Sequence, residues 1–392
     1  MPGLCRQRRI SSFIGRKSSR TSTPEDLTME KAFAFVESYH KWGAESIEFL
    51  QNVLPGRGPF FISVSNLGDP GLAFTFYFPI VIALHAGLGT RFMWSIVFCE
   101  WSNMLLKWLM VGDRPYWWVN ETKLYSKGRP PVLLQFPNTC ETGPGMPSGH
   151  AKLNAAMFYI LVSALNTMVI SKTSLLTDQQ KKLAKRLTWL AYGGWMALVI
   201  VARVYVAAHF PHQCIYGALI GFLIAVLVSR TPSLHVLSRR QYVMISAAII
   251  VTVLGMYFIV LAMGSNVLWS VEKAIKWCVQ RSYIHIDSTP FYSFSRYSGV
   301  SLGLGLGLSS KWFRKTDQSR FNYKMIASMV ILNLAASATG VYIHKLLSPS
   351  MFGWYVVEFT LNVVVTFLIV AVIPNFVRVA CNMPPGDKYK KK

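Results

Sequence analysis

The chain has few charged residues, and acidic ones are the scarcest. Only 15% of its 392 residues are charged, and 17 Asp and Glu stand against 40 Lys and Arg. No acidic cluster accompanies the polar motifs described below, which argues against a two-metal catalytic site. The six cysteines form no CxxC pair. They therefore suggest neither a zinc site nor a dense disulfide framework.

Long apolar runs are what the chain has in abundance. It is 52% hydrophobic, with a mean hydropathy of +0.35. Apolar runs of about 20 residues are typical of membrane helices. We therefore predict an all-α, polytopic membrane bundle of about nine transmembrane helices. The predicted spans lie near residues 70–89, 91–111, 149–170, 187–206, 212–229, 241–263, 291–310, 322–343 and 353–377.

The bundle forms one predicted domain, at residues 61–380. Residues 1–60 precede it as a basic N-terminal extension followed by an amphipathic helical segment, which Pro55 and Gly56 end. Residues 381–392 follow it as a basic tail. We expect membrane lipid to surround the bundle.

The net charge of +23 lies in short loops between apolar runs, a pattern typical of topology signals rather than of nucleic-acid binding. With nine spans, the basic connections share one side with the C-terminus, and that side is predicted to be cytosolic. The basic residues 1–28 would then lie on the opposite side, against the positive-inside rule. The connections on the predicted cytosolic side are 171–186, 230–240, 311–324 and the tail.

Three polar motifs fall on the opposite, non-cytosolic side. Lys107 is followed after six residues by Arg114 and Pro115 at the end of the second span. The third span begins with Pro147-Ser148-Gly149-His150. Arg203 is followed after five residues by His209, between the fourth and fifth spans. Ionisable groups near membrane depth are costly and usually functional, so we interpret the three motifs as one site.

The residue types suit a phosphoryl group. Arg114 and Arg203 offer planar forks for phosphate oxygens, and Lys107 adds a point charge. Ser148 and Gly149 lie at a predicted helix start, where free N–H groups attract an anion. One histidine could attack phosphorus while the other protonates the leaving oxygen, and the spacing does not assign these roles. No metal or cofactor is predicted.

Together the motifs resemble those of the type-2 phosphatidic acid phosphatase superfamily. Neighbouring segments resemble, more narrowly, the catalytic subunits of glucose-6-phosphatase, and this likeness runs from about Asn66 to the C-terminus. The segments are Arg114-Pro115-Tyr116-Trp117-Trp118-Val119, Gln135-Phe136-Pro137, Cys140-Glu141-Thr142-Gly143-Pro144-Gly145, Ala208-His209-Phe210-Pro211-His212-Gln213 and His285-Ile286-Asp287.

The resemblance implies the roles that spacing leaves open. His209 would be the nucleophile that forms a phosphohistidine, and His150 the proton donor. The reaction would release glucose and phosphate from glucose 6-phosphate, at the luminal face of a multi-pass protein of the endoplasmic reticulum membrane. Because that substrate arises in the cytosol, coupling to a glucose-6-phosphate transporter is expected. The implied phosphate-binding residues are Lys107, Arg114, Ser148, Gly149 and Arg203.

The chain departs from the superfamily pattern at three positions. Ala202 replaces the usual Ser before the third-motif arginine, and Met146 replaces the usual Ser before Pro147. Gln213 replaces the acid that usually orients the nucleophile. Its amide could hold an imidazole tautomer but could not stabilise its charge.

Two other functions stay open. One is a lipid phosphate phosphatase of the same superfamily, whose site would open sideways to the bilayer. The other is a sugar-phosphate transporter or a weakly active binding protein. Transporters tend to bind at the midplane between inverted repeats, and no such repeat is visible.

Several residues near the motifs keep two interpretations. Asp69 and Asp287 could accept hydrogen bonds from sugar hydroxyls or cap helices. Asn120 lies in an Asn-Glu-Thr sequon, so glycosylation is expected if its loop is luminal. Cys140 and Cys278 lie in predicted luminal loops, where a disulfide and free thiols are both open.

Overall fold

The computed structural model describes residues 24–126, 128–231, 234, 236–285, 288–347 and 351–386. Regular structure in these ranges is helical, apart from an isolated β-bridge between Glu141 and His285. Asp287, most of the basic extension and the last basic residues lie outside the described residues.

The N-terminal half supplies eight helices. Helix α1 precedes the apolar elements of the bundle, and α3 is three uninterrupted helical segments, the middle one a π-helical turn. Helix α6 continues into a second π-helical segment, Leu165–Ile170. The bounds are α1 Pro24–Val53, α2 Gly58–Leu67, α3 Pro70–Leu72 with Ala73–Tyr77 and Phe78–Leu84, α4 Ala86–Met110, α5 Pro115–Glu121, α6 Gly149–Ala164, α7 Asp178–Tyr205 and α8 Pro211–Ser229.

The C-terminal half continues the bundle. Helices α14 and α15 are joined by a π-helical turn, Leu368–Val372, so that they form one long element. Short 3₁₀ turns lie at Arg281–Tyr283 and Gln318–Arg320. The bounds are α9 Arg239–Ala262, α10 Trp269–Trp277, α11 Pro290–Leu308, α12 Lys311–Lys315, α13 Tyr323–Leu346, α14 Met351–Phe367 and α15 Ile373–Ala380.

Seven helical elements of the described chain are long and apolar enough to cross a membrane. They confirm the predicted polytopic all-α class, whereas the predicted count of nine is not confirmed. Helices α4 and α11, which correspond to the second and seventh predicted spans, do not meet the same measure. The seven elements are Gly58–Leu84, Gly149–Ile170, Asp178–Tyr205, Pro211–Ser229, Arg239–Ala262, Tyr323–Leu346 and Gly353–Ala380.

Helices α4 and α11 have a low hydropathy for the same reason. Helix α4 carries Glu100, Asn103 and Lys107, and α11 carries Arg296, and all four side chains line one cavity. Both helices are nevertheless packed inside the bundle, α4 against α6, α8 and α11, and α11 against α9 and α14. Their reduced hydropathy therefore reflects polar residues turned toward a shared interior site.

Glycines let α11 approach α14 closely, as their four-residue spacing predicts. A Cβ on Gly303 would lie 2.5 Å from the carbonyl oxygen of Val363, and one on Gly307 would lie 2.9 Å from Val370. Gly299 faces the backbone of Phe359 in the same way. This contact fixes α11, which carries Arg296 to the site.

Helices α1 and α2 close over the end of α7. The Gln51 amide of α1 donates to the carbonyl of Tyr205 at 2.6 Å, and the Tyr205 hydroxyl donates to the carbonyl of Leu54 at 2.9 Å. Phe61 of α2 packs on the Tyr205 ring. These contacts hold the turn between α7 and α8, on which His209 lies.

Candidate active site

The three motifs meet at one end of the bundle. Lys107 comes from the C-terminal part of α4, His150 from the start of α6, and Arg203 from the last turn of α7. Arg114 precedes α5, and His209 lies in the turn before α8. We call these five residues the motif cluster. All of them are buried, and Arg114, Arg203 and His209 are fully so.

Arg114 is held by the protein on every side. Its Nε donates to the carbonyl of Gly143 at 2.7 Å, and Nη1 donates to the carbonyl of Ala208 at 2.9 Å. Nη2 lies 2.9 Å from Oε2 of Glu141. Because these bonds fix the guanidinium plane, Arg114 presents a preorganised cation rather than a flexible one.

Arg203 is held less completely. Its Nη1 donates to the Ser65 hydroxyl at 2.5 Å, and Nη2 donates to Oε1 of Glu141. Its Nε is buried without a hydrogen-bond partner in the described part of the chain. A buried unsatisfied donor is costly, so this group is available to an anion that enters the cluster.

The surroundings of His209 define its tautomer. Nδ1 lies 2.8 Å from the carbonyl oxygen of Gly145 and 3.3 Å from Oε1 of Gln213. Since a carbonyl only accepts, Nδ1 carries the proton, and Nε2 keeps the lone pair. Nε2 faces Nη1 of Arg114 at 3.3 Å. The lone pair of Nε2 thus points into the cationic cluster.

His209 is uncharged in its surroundings. Burial and, to a smaller extent, the nearby Arg114 cation lower its pKa to about 3, despite the opposing effect of Glu141. The imidazole is therefore neutral at physiological pH. A neutral imidazole with a free Nε2 is the nucleophilic form.

Gln213 holds His209 only as a secondary partner. Its Oε1 also accepts from the backbone N–H of Phe210 at 3.2 Å, and its Nε2 donates to the carbonyl of Asp113 at 2.7 Å. The shorter bond to His209 comes from Gly145. Sequence reasoning assigned the tautomer to Gln213 and missed Gly145, because a backbone carbonyl leaves no trace in residue type.

His150 lies on the other side of the cluster. Its Nδ1 is 3.4 Å from Oε1 of Glu141, and its Nε2 is 3.7 Å from Oδ2 of Asp69. The other oxygen of Asp69 caps the helix that follows, accepting from the N–H of Gly71 at 2.6 Å. Asp69 therefore caps a helix, as one of its two interpretations predicted, and it also lines the site cavity.

Ser148 and Gly149 take different positions. The Ser148 hydroxyl caps α6, accepting from the N–H of Ala151 at 3.5 Å, whereas Gly149 lines the cavity beside His150. Lys107 also lines this cavity. A Cβ on Gly143 would lie 3.1 Å from its ammonium nitrogen. The phosphate-binding roles of these three residues stay predictions.

Glu141 occupies the centre of the cluster, which sequence reasoning did not anticipate. Burial alone would raise the pKa of its carboxyl, but Arg203 and Arg114 hold that pKa well below the usual range. The carboxylate is therefore ionised. The adjacent Cys140 is bonded to Cys278, so the pair is a disulfide in the structure.

Comparisons with known proteins agree with the fold and the motifs. The PAP2 superfamily pattern matches residues 88–236. Mouse glucose-6-phosphatase 2 is 35% identical over 355 residues, which are 90% of this chain and 99% of that protein. The glucose-6-phosphatase catalytic subunit 1 of Haplochromis nubilus is 37% identical over 302 residues, 76% and 84% of the two chains. The mouse catalytic subunit 1 is 34% identical over 344 residues, 86% and 94%. No solved structure gives a significant match.

An all-helical bundle that carries a PAP2 domain defines a membrane phosphatase, and the chain is accordingly a phosphoric monoester hydrolase. Within that class, identity of this extent over nearly whole chains decides the family. The chain belongs to the glucose-6-phosphatase family.

Proposed function

We propose that the protein hydrolyses glucose 6-phosphate to glucose and phosphate, through a phosphohistidine at His209. The observation that carries this proposal is the geometry of Nε2 of His209, whose lone pair faces the Arg114 guanidinium while Nδ1 is held by the Gly145 carbonyl. The proposed substrate is that of the similar proteins, which are glucose-6-phosphatases.

The first step forms the covalent intermediate. Nε2 of His209 attacks phosphorus while the bond from phosphorus to the sugar oxygen breaks. His150 gives its proton to that oxygen, so glucose leaves neutral. Arg114, Arg203 and Lys107 stabilise the charge on the three equatorial oxygens, as preorganised cations do in phosphoryl transfer.

The second step restores the enzyme. His150, now neutral, accepts a proton from a water molecule, whose oxygen attacks phosphorus. The phosphorus–nitrogen bond breaks, inorganic phosphate is released, and Nε2 of His209 regains its lone pair. No metal or cofactor takes part in this scheme.

Asp69 is the positioning residue for His150 in this scheme. Its Oδ2 lies 3.7 Å from Nε2 of His150, whereas Nδ1 faces the cluster. At this distance the carboxylate acts on Nε2 by charge and not through a hydrogen bond, and its charge favours the protonated imidazole. In the scheme, Nδ1–H of His150 is then the proton given to the leaving oxygen.

The cavity beside His150 has a predominantly polar lining that suits a sugar. It has a volume of about 90 Å³ and adjoins a second cavity of about 310 Å³, with which it shares Asp69, Gly71 and Arg296. Hydroxyl recognition needs donors and acceptors near the phosphate site. The polar residues that line the first cavity include Asp69, Asn103, Asn138, Ser288, Ser293 and Arg296.

The lipid phosphatase alternative is tested by substrate choice. Membranes that carry the protein should hydrolyse glucose 6-phosphate in preference to phosphatidic acid, both intact and after detergent treatment. His209→Ala membranes serve as the background control. Hydrolysis of the lipid phosphate without hydrolysis of the sugar phosphate would reject the proposed substrate.

We also propose a luminal site in the endoplasmic reticulum membrane and a cytosolic C-terminus. The support is the basic connections of the sequence, which lie at the end of the bundle opposite the motif cluster. Asn120, exposed at the end of α5, would then be glycosylated. Endoglycosidase treatment should increase the mobility of the wild type but not of Asn120→Gln. Substrate would reach this side through a separate transporter.

A further inference from the structure

A carboxylate fills the space between the catalytic groups. Oε2 of Glu141 lies 2.9 Å from Nη2 of Arg114 and 3.6 Å from Nε2 of His209. Oε1 accepts from Nη2 of Arg203 and lies 3.4 Å from Nδ1 of His150. Both guanidiniums and both histidines therefore face the same two oxygen atoms. These are the contacts that the oxygens of a phosphate would make.

The main chain of Glu141 is anchored. Its N–H donates to the carbonyl of Thr139 at 3.0 Å, and its carbonyl accepts from the Tyr116 hydroxyl at 3.1 Å. The preceding residue, Cys140, is bonded to Cys278. The carboxylate thus leaves the cluster by side-chain rotation, and the cavity that Glu141 lines adjoins it.

This position conflicts with a bound substrate. In-line attack needs phosphorus about 3–3.5 Å from the nucleophile, and Oε2 of Glu141 already lies 3.6 Å from Nε2 of His209. A phosphate and this carboxylate would also be like charges in contact. Both cannot occupy the cluster.

We propose that Glu141 is an internal competitor for the phosphate site: its carboxylate occupies the site when empty and rotates away as a phosphate enters. The proposal rests on the proposed function, because it takes the motif cluster to be the phosphate site. With Glu141 in place, Arg114 and Arg203 face its carboxylate. With Glu141 displaced, these two cations and Lys107 face the dianionic phosphate.

The competition affects product release in particular. Lys107, Arg114 and Arg203 would hold inorganic phosphate strongly once the phosphohistidine is hydrolysed. The returning carboxylate pairs with the same two guanidiniums, so neither buried arginine is left without an anionic partner. Glu141 therefore weakens the binding of phosphate and of phosphate esters together.

Direct binding of inorganic phosphate tests the proposal without relying on sugar hydrolysis. The purified full chain is titrated with radiolabelled phosphate as wild type, Glu141→Gln and Glu141→Asp. Glu141→Gln should lower the Kd for phosphate by about tenfold or more, because a neutral amide competes without the charge-assisted bonds. Glu141→Asp, which is shorter, should lower it less. An unchanged or higher Kd in folded Glu141→Gln would overturn the proposal.

Glu45→Gln is the matched control, since it removes one carboxylate from an exposed pair with Lys41 in α1. Its Kd for phosphate should equal that of the wild type.

Carbodiimide labelling of the wild type tests the same rotation without any substitution. Labelling of Glu141, followed by mass spectrometry, should increase when phosphate is bound, while labelling of Glu45 stays constant. Glu141 labelling that does not change at saturating phosphate would also overturn the proposal. If phosphate does not bind in the motif cluster at all, so that His209→Ala, Arg203→Ala and wild type bind it equally, the proposed function fails first.

Discussion

Gly145 is the position where one added methyl group should damage catalysis most specifically. A Cβ there would lie 2.5 Å from the carbonyl oxygen of Asp113, and 2.9 Å from both polar atoms of the Gln213 side chain. The N–H of Gly145 also donates to the carbonyl of Gly112 at 2.7 Å, so the residue is fixed on two sides. Gly145→Ala must therefore move the backbone.

The size of that movement sets the expected loss. Restoring ordinary contact with the Asp113 oxygen requires a shift of about 1 Å, which displaces the carbonyl that holds Nδ1 of His209. A misplacement of this size costs roughly 100-fold in rate. Overpacking of this kind costs about 1–3 kcal/mol of stability. We expect kcat to fall roughly 100-fold, with a much smaller change in KM.

Gly128→Ala provides the matched control. Gly128 lies in the same loop, between α5 and α6, and a Cβ there would meet nothing within 4 Å. Steady-state kinetics of both variants in the same membranes, normalised to the amount of folded protein, measures the effect. A Gly145→Ala enzyme with wild-type kcat would refute the proposed role of the Gly145 carbonyl in setting the His209 tautomer.

Three further predictions concern other contacts. Asp69→Asn should lower kcat by about 10-fold or more, because protonated His150 loses its carboxylate partner; unchanged kinetics would remove Asp69 from the scheme. The free energy of unfolding should fall as pH drops from 6.5 toward 3, because burial lowers the pKa of His209 to about 3, so the unfolded chain binds the extra proton. His209 alone can change the free energy of unfolding by at most about 1.4 kcal/mol per pH unit. The Tm of His209→Asn should therefore depend less on pH than that of the wild type. Cys278→Ser opens a disulfide between positions 138 residues apart and should lower Tm, with a chain-entropy loss of up to about 5 kcal/mol. The exposed free cysteine variant Cys381→Ser should melt like the wild type.

The motifs predicted much of the candidate site because they carry spatial information. His150, Arg203 and His209 were expected to meet on one face, and the structure brings them together with Arg114. Apolar run lengths likewise predicted the helical bundle, since a membrane helix is a local property of the sequence. The span count was harder to predict, because α4 and α11 bury polar residues against other helices.

The remaining contacts depend on distant parts of the chain. Ser65 bonds Arg203 across 138 residues, and Arg296 reaches the site cavity from α11. Neither residue has a local pattern that marks it. In the sequence, Glu141 was noted only as part of the segment from Cys140 to Gly145 that resembles the glucose-6-phosphatase catalytic subunits. Its place between two arginines follows from the fold of the loop and not from its neighbours in sequence.

Trapping of the phosphoenzyme tests the central claim most directly. Membranes are incubated briefly with glucose 6-phosphate labelled at phosphorus, quenched in alkali to preserve phosphohistidine, and digested for mass spectrometry. The account predicts label on His209, none on His150, and none in His209→Ala, whereas His150→Ala should still form the intermediate slowly and accumulate it. Label on another residue, or turnover by His209→Ala at the wild-type rate, would contradict the account.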